Sequence, residues 1–243
     1  MTEPMIEIKN LTKRYGEKGA VAELTLSVPR GAMYGFLGPN GAGKTTTLRM
    51  LMGLLQPSSG SARIEGLDVT ADAVAVRACV GYLPDEVFLY DYLTGQQFLE
   101  FVADMRGISR EARDRRIREL LEFFDLESAA GEYTLNYSFG MKKKLALAGI
   151  VIHKPSVLLL DEPFNGLDPQ ATKDCRAMLT RMTTEGSTVL FSSHVLEVVE
   201  KLVTHVAIID SGTLRASGTL AEVCAPHDNS LEKAFFTLTS RET

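Results

Sequence analysis

The stretch "GPNGAGKTT", Gly38 to Thr46, stands between the short apolar run "YGFL" and the helix-like "TTTLRMLMGLL". A GxxxxGK[ST] loop that leaves a strand and opens a helix is a phosphate cradle, not merely a glycine-rich turn. Gly38, Gly41 and Gly43 let backbone N–H groups turn inward around phosphate oxygens, where side chains would block the approach. Pro39, Asn40, Ala42 and Thr46 complete the cradle. Lys44 is placed to bridge terminal phosphates and the Thr45 hydroxyl to ligate Mg²⁺, while the new helix adds its dipole.

A second strand, "VLLLDEP" at Val157 to Pro163, ends in two carboxylates. Ligands of open α/β sheets bind at such strand ends. Asp161 can hold Mg²⁺ through water, and Glu162 can orient or deprotonate an attacking water. With the phosphate loop, this pair specifies a nucleoside triphosphatase. No NKxD stretch for guanine is present, which disfavours a small GTPase.

"MIEIKNL" and "VAELTLSV" alternate at period two, and the spacing predicts a helix over Lys44 to Leu55. From Thr94 to Phe124 the pattern becomes amphipathic and helical, with Ile117, Leu120, Leu121 and Phe124 on one face. Beyond it, helix-like stretches alternate with the apolar runs "STVLFSS" and "VAIID". Strands alternating with helices imply a mostly parallel sheet, so the fold class is α/β. The expected division is a core of about residues 5–83 and 155–225, an inserted helical subdomain of about 84–154, and a short tail of 226–243.

A hydrophobic fraction of 45% and a charged fraction of 23% suit a soluble globular chain. The net charge of -5 gives no general attraction to nucleic acid, and the basic run from Arg106 to Arg118 is interleaved with Glu111 and Asp114 as on a solvated helix face. Cys79, Cys175 and Cys224 show neither disulfide nor zinc spacing and read as reduced thiols. The first residues are not a secretory signal, and no apolar run approaches the roughly 18 residues of a membrane span.

Taken in order, these motifs resemble those of the ATP-binding cassette (ABC) family, the ATPase subunits of ABC transporters, over about residues 6–223. "NGLDP" at Asn165 to Pro169 is similar to the D-loop, and "SSH" at Ser192 to His194 to the switch histidine. Tyr15 in "LTKRYG" stands where the family stacks an aromatic ring on adenine. The resemblance implies ATP and Mg²⁺ as ligands and His194 donating to the γ-phosphate. It also implies two cassettes closing head to tail on two ATP molecules, each site completed by the partner's signature helix. "YSFGM" stands where the family reads LSGGQ, so Ser138 and Gly140 carry over contact with the partner's γ-phosphate. Phe139 departs from that pattern, adding bulk and losing φ freedom. Asp168 combines a D-loop role with a helix N-cap ahead of Pro169.

At "GYLPDE" the family's Q-loop glutamine aligns best with Asp85, with Glu86 the alternative occupant; Asp85 is a hard oxygen ligand expected to keep the metal role. Phe88, Leu89, Tyr90, Tyr92 and Leu93 follow, on the surface that the family turns toward a permease. At least two of them are expected to be exposed there. Lys142, Lys143 and Lys144 extend the positive start of the signature helix and suit a surface meeting the other subunit's triphosphate. The resemblance is strongest to drug, antibiotic or polysaccharide exporters. It implies a second ATPase subunit, a permease on a separate chain, and a cytoplasmic protein held peripherally on the inner face of the cell membrane. The rival expectation is a soluble ABC ATPase of a cytosolic complex such as iron–sulfur assembly.

Overall fold

The computed structural model describes residues 3–239. The chain opens with the antiparallel pair β1 (Ile6–Tyr15) and β2 (Lys18–Val28), then β3 (Met33–Leu37), helix α1 (Lys44–Leu51), and strands β4 (Ser59–Ile64) and β5 (Leu67–Asp68). Helix α2 (Ala73–Cys79) runs directly into β6 (Val80–Leu83). Three helices follow before the next strand: α3 (Gly95–Met105), α4 (Arg110–Phe123) and α5 (Phe139–Val151). The second half alternates β7 (Val157–Leu160), α6 (Pro169–Thr184), β8 (Thr188–Ser193), α7 (Leu196–Glu200) and β9 (His205–Asp210). It closes with β10 (Thr213–Thr219), α8 (Leu220–Cys224) and α9 (Leu231–Thr239).

Two sheets result. One has the order β2-β1-β4-β5 and is antiparallel; the other has the order β10-β9-β3-β8-β7-β6 and is parallel except for β10. Strands β3 and β7 are buried at every position, as a parallel sheet covered on both faces demands. Their period of two divides the core. Met33, Leu37, Leu158, Leu160, Val189 and Phe191 face the helices α3 to α7, whereas Tyr34, Phe36, Val157, Leu159 and Leu190 pack with α1 and the antiparallel sheet. Burying both faces of the same strands locks their register, because a slip of one residue would exchange the two sets.

Register is what assembles the site. Leu37 pairs with Ser193, Phe191 with Leu160, and Leu160 with Leu83, so the loops after β3, β6, β7 and β8 leave one edge together. The segment expected as a tail carries α9, whose Leu231 and Ala234 are buried against the core; residues 240–243 of that expectation lie outside the described residues. Helix α1 ends at Leu51, four residues short of the expected Leu55, because Gly53 takes φ 62° and breaks the helical path. The basic run is not wholly a solvated face: Arg116 is only 8% exposed and donates to the Val151 carbonyl at 3.2 Å.

Candidate active site

The phosphate loop bends as its glycines permit. Gly43 takes φ 105°, and a Cβ there would stand 2.5 Å from the Ala20 carbonyl of β2, so only glycine fits. Gly43 also provides no capping side chain for α1, leaving the first-turn N–H groups directed to the loop's interior. Lys44 is buried and donates to the carbonyls of Gly38 at 2.7 Å and Pro39 at 3.3 Å. The same ammonium lies 3.6 Å from Glu162 Oε1.

At the end of β7, Asp161 and Glu162 are both buried and share one hydroxyl. Ser192 Oγ donates to Asp161 Oδ1 at 2.6 Å and accepts from the Glu162 N–H at 2.9 Å. Glu162 has φ 47°, a left-handed conformation that costs a non-glycine residue about 1–2 kcal/mol. Its Oε2 lies 2.9 Å from His194 Nδ1 and accepts weakly from the His194 N–H at 3.3 Å. With Nδ1 donating to this carboxylate, Nε2 is the ring nitrogen left for a ligand.

A cleft of about 480 Å³ gathers the phosphate loop and the two carboxylates; His194 is not in its lining and reaches it only through Glu162. Asn40, Gly41, Ala42, Gly43, Lys44, Thr45 and Thr46 line it opposite Asp85, Asp161 and Glu162. Tyr15, 53% exposed, stands at one end with Lys18, Gly19 and Ala20, and Lys13 Nζ lies 5.3 Å from its ring centroid. Gly38 and Pro39 hold the loop from behind through the Lys44 contacts. A larger cavity, about 940 Å³, lies between α2, α4 and the end of α5 and is lined by Arg77, Arg106, Arg115, Arg116 and His153. Size does not make it the reaction centre, since it holds neither the phosphate loop nor a carboxylate pair.

The cleft fits a nucleotide with a divalent cation. Asp161 Oδ2 and Glu162 Oε1 are buried acceptors without a hydrogen-bond partner, a deficit that a hard cation and its water would relieve. Among the described residues no group of three or more His, Cys, Asp and Glu side chains could hold a metal alone. Mg²⁺ characteristically takes few protein ligands and completes its shell with phosphate oxygens and water.

Ser138, Gly140 and Asp168 do not line this cleft. Gly140 and Asp168 lie beside each other instead. Ser138 caps α5, accepting from the Met141 N–H at 3.3 Å, and Asp168 caps α6, accepting from the Ala171 N–H at 2.8 Å ahead of Pro169. A Cβ on Gly140 would stand 3.7 Å from Asp168 Oδ2. Phe139 begins α5 with a helical backbone, so the expected loss of φ freedom does not arise. Its ring instead covers Gly166 of "NGLDP", where a Cβ would come within 2.7 Å of it.

The lysines depart from expectation. Lys143 is 1% exposed and turned inward, donating to the carbonyls of Asp85 at 3.2 Å and Glu162 at 3.1 Å. Burial lowers its pKa, opposed by the charges of Asp85, Asp161 and Glu162. Lys144 pairs with Asp174 of α6 at 2.6 Å and donates to the Phe124 carbonyl. Two of the three are therefore internal ties, not a surface for another subunit's triphosphate. Cys175 of α6 is fully buried, and burial pushes its thiol up to about 12. Sequence reasoning missed the roles of Ser192, Lys143 and Lys18; only Ser192 lay within a recognised motif.

Residues 21–165 match the model of the ABC transporter family. The chain belongs to that family. This ABC protein is similar to the linearmycin resistance ATP-binding protein LnrL of Bacillus subtilis, at 34% identity over 91% of this chain and 71% of that one. It is also similar to the daunorubicin resistance ATP-binding protein DrrA3 of Streptomyces coeruleorubidus, at 38% identity over 93% and 71%. A solved ATP-binding subunit of an ABC transporter superposes with a TM-score of 0.90 at 30% identity, covering 96% of this chain and 99% of that one. Membership makes the fold that of an ABC ATPase and the activity ATP hydrolysis coupled to transport. The iron–sulfur alternative finds no support in these relatives. No helix among the described residues is long and apolar enough to cross a membrane.

Proposed function

We propose that this ATPase drives export through a permease on a separate chain, acting as a homodimer held peripherally at the cytoplasmic face of the membrane. The observation that carries the dimer is the division of the site: the cleft gathers the phosphate loop with Asp161 and Glu162, while Ser138 and Gly140 lie outside it. A second copy, presenting Ser138 and Gly140 to the γ-phosphate, completes each centre. The two antibiotic-resistance relatives support export.

The permease surface is supported by Phe88, Tyr90 and Tyr92, exposed by 84%, 58% and 81%, beside an apolar groove of about 230 Å³ that Leu89 helps to line. Solvated aromatic side chains next to such a groove are anchors for a partner. The helices α3, α4 and α5 between β6 and β7 support the reading of 84–154 as a helical subdomain set between 5–83 and 155–225.

In the reaction, Tyr15 stacks on adenine, Lys44 and the loop N–H groups of residues 40–46 bind the phosphates, and Gly38 and Pro39 shape the loop behind them. A water oxygen bonds to the γ-phosphorus, the bond from that phosphorus to the β–γ bridging oxygen breaks, and ADP and phosphate leave. Glu162 orients the water and accepts its proton, His194 Nε2 faces the γ-phosphate, and Asp168 helps to shape the junction with the second copy. Mg²⁺, held by Thr45, Asp161 and Asp85, would neutralise charge on the β- and γ-phosphate oxygens. Glu162→Gln keeps the shape and removes the base, so ATP affinity should stay near wild type while turnover falls at least about a hundredfold. Full turnover would refute the assignment. Purification from membranes should bring a permease with the chain; recovery only with a soluble complex would overturn the transport partner.

A further inference from the structure

Lys143 is unusual among the buried residues. On the second turn of α5 it is almost wholly shielded, yet its ammonium meets only main-chain oxygens, those of Asp85 and Glu162. Removing an ammonium from water without a contacting carboxylate is unfavourable, and an apolar side chain of the same length would fill the space more cheaply. The placement of its donors gives the charge a purpose. Glu162 is held in a left-handed conformation whose N–H is bonded to Ser192 Oγ at 2.9 Å. Its carbonyl is bonded both to Lys143 at 3.1 Å and to the Asn165 N–H at 3.1 Å. The peptide groups on both sides of the strained residue are thereby fixed. The second oxygen that Lys143 grips belongs to Asp85, on the loop after β6 that lines the same cleft.

We propose that Lys143 is a positioning residue for ATP hydrolysis, its ammonium fixing the main chains of Glu162 and Asp85 in one relative placement set by α5. The inference rests on the role given to Glu162 above. Because Ser138 caps the same helix, a tilt of α5 on engaging a second copy moves both acidic residues together. A lysine that only braced the fold would affect stability and leave the turnover of folded protein unchanged.

The test uses the full chain with Lys143→Met, which keeps length and removes the donors, and Lys143→Gln, which keeps N–H donors without charge. Lys143→Met should hold KM for ATP within about twofold and lower kcat about tenfold to a hundredfold, the range expected when a reacting group is misplaced by a fraction of an ångström to an ångström. Lys143→Gln should recover most of that loss. Amides of residues 161–166 should exchange hydrogen faster in Lys143→Met than in Lys143→Gln. Where Lys143→Met does not fold, Lys143→Asn, whose amide is too short to reach both carbonyls, carries the same expectation. Wild-type kcat in the donor-deficient variant, or Lys143→Gln as slow as that variant, would overturn the proposal. Glu162→Gln, assayed beside them, separates the two readings. Full turnover there would indict the catalytic assignment, whereas a dead Glu162→Gln with a fully active Lys143→Met would indict the positioning role alone.

Discussion

Replacing Ser192 with alanine removes one oxygen atom and two hydrogen bonds. Ser192 is 0% exposed, so no bulk solvent stands ready to replace them. Its hydroxyl donates to a carboxylate oxygen of Asp161 and accepts from the N–H of Glu162. A bond to a charged group is worth about 1.5–3 kcal/mol, and an orphaned buried N–H costs about 1–3 kcal/mol, so the variant should lose about 3–5 kcal/mol of stability. For a chain of this length each kcal/mol moves Tm by about 2–4 °C, which predicts a drop of about 6–20 °C. Freed from Ser192, Asp161 no longer keeps one rotamer, and kcat at saturating ATP should fall about tenfold. Urea unfolding without nucleotide gives the first quantity and phosphate release by the folded protein the second. A loss below about 1 kcal/mol with wild-type turnover would refute the view that this hydroxyl organises the carboxylate pair.

Tyr15→Ala should weaken ATP binding by about 5- to 160-fold, from a base-stacking energy of about 1–3 kcal/mol, with Tyr15→Phe near wild type; equal affinities by calorimetry would remove Tyr15 from the adenine site. Gly166→Ala combines a left-handed φ of 71° with contact against the Phe139 ring. It should destabilise the fold by about 2 kcal/mol, of which about half should disappear in a Phe139→Ala background; full additivity would deny the contact. His153 is held down to about 4 from its ordinary 6.5 mainly by burial and secondarily by the Arg106 charge, and the Val80 carbonyl near it is too poorly placed to count as a hydrogen-bond partner. The unfolded chain takes up this proton near pH 6.5 and the folded chain only near pH 4, so stability falls as pH drops through that window and levels off below it. Allowing for solvent screening, His153→Phe should remove about 1–2 kcal/mol of the acid sensitivity. Identical urea midpoint shifts between pH 7 and pH 4.5 in both proteins would contradict this.

The parts of the site that sequence reading captured are those whose chemistry is local. A glycine loop ahead of a helix, or two carboxylates at a strand end, carry their geometry within a few residues, so the cleft from Asn40 to Thr46 with Asp161 and Glu162 could be placed in advance. The Asp168 cap was likewise legible, from a proline at the first helical turn, whereas the exposure of Phe88, Tyr90 and Tyr92 followed from the family resemblance and not from the residues themselves. Tertiary placement decided the rest. Nothing in "KKK" distinguishes a lysine buried under two carbonyls from one in water, because that depends on how α5 lies across the ends of β6 and β7. Lys18 reaches the cleft only because β2 folds back beside the phosphate loop. Phe139 looked costly when judged against glycine at its own position; its compensation sits 27 residues on, at Gly166, where the missing Cβ leaves room for the ring.

Cys175 gives the molecule an internal clock. A shielded thiol held in its protonated form is inert to maleimide or iodoacetamide until the surrounding structure opens. Its alkylation rate therefore reports how often α6 separates from α5, at the junction spanned by the Lys144–Asp174 pair and lying next to Lys143. Half-buried Cys79 supplies the reference for reagent access in the same sample. Mass spectrometry of the two tryptic fragments would turn two ordinary cysteines into a timer for that junction, with no label introduced by mutation.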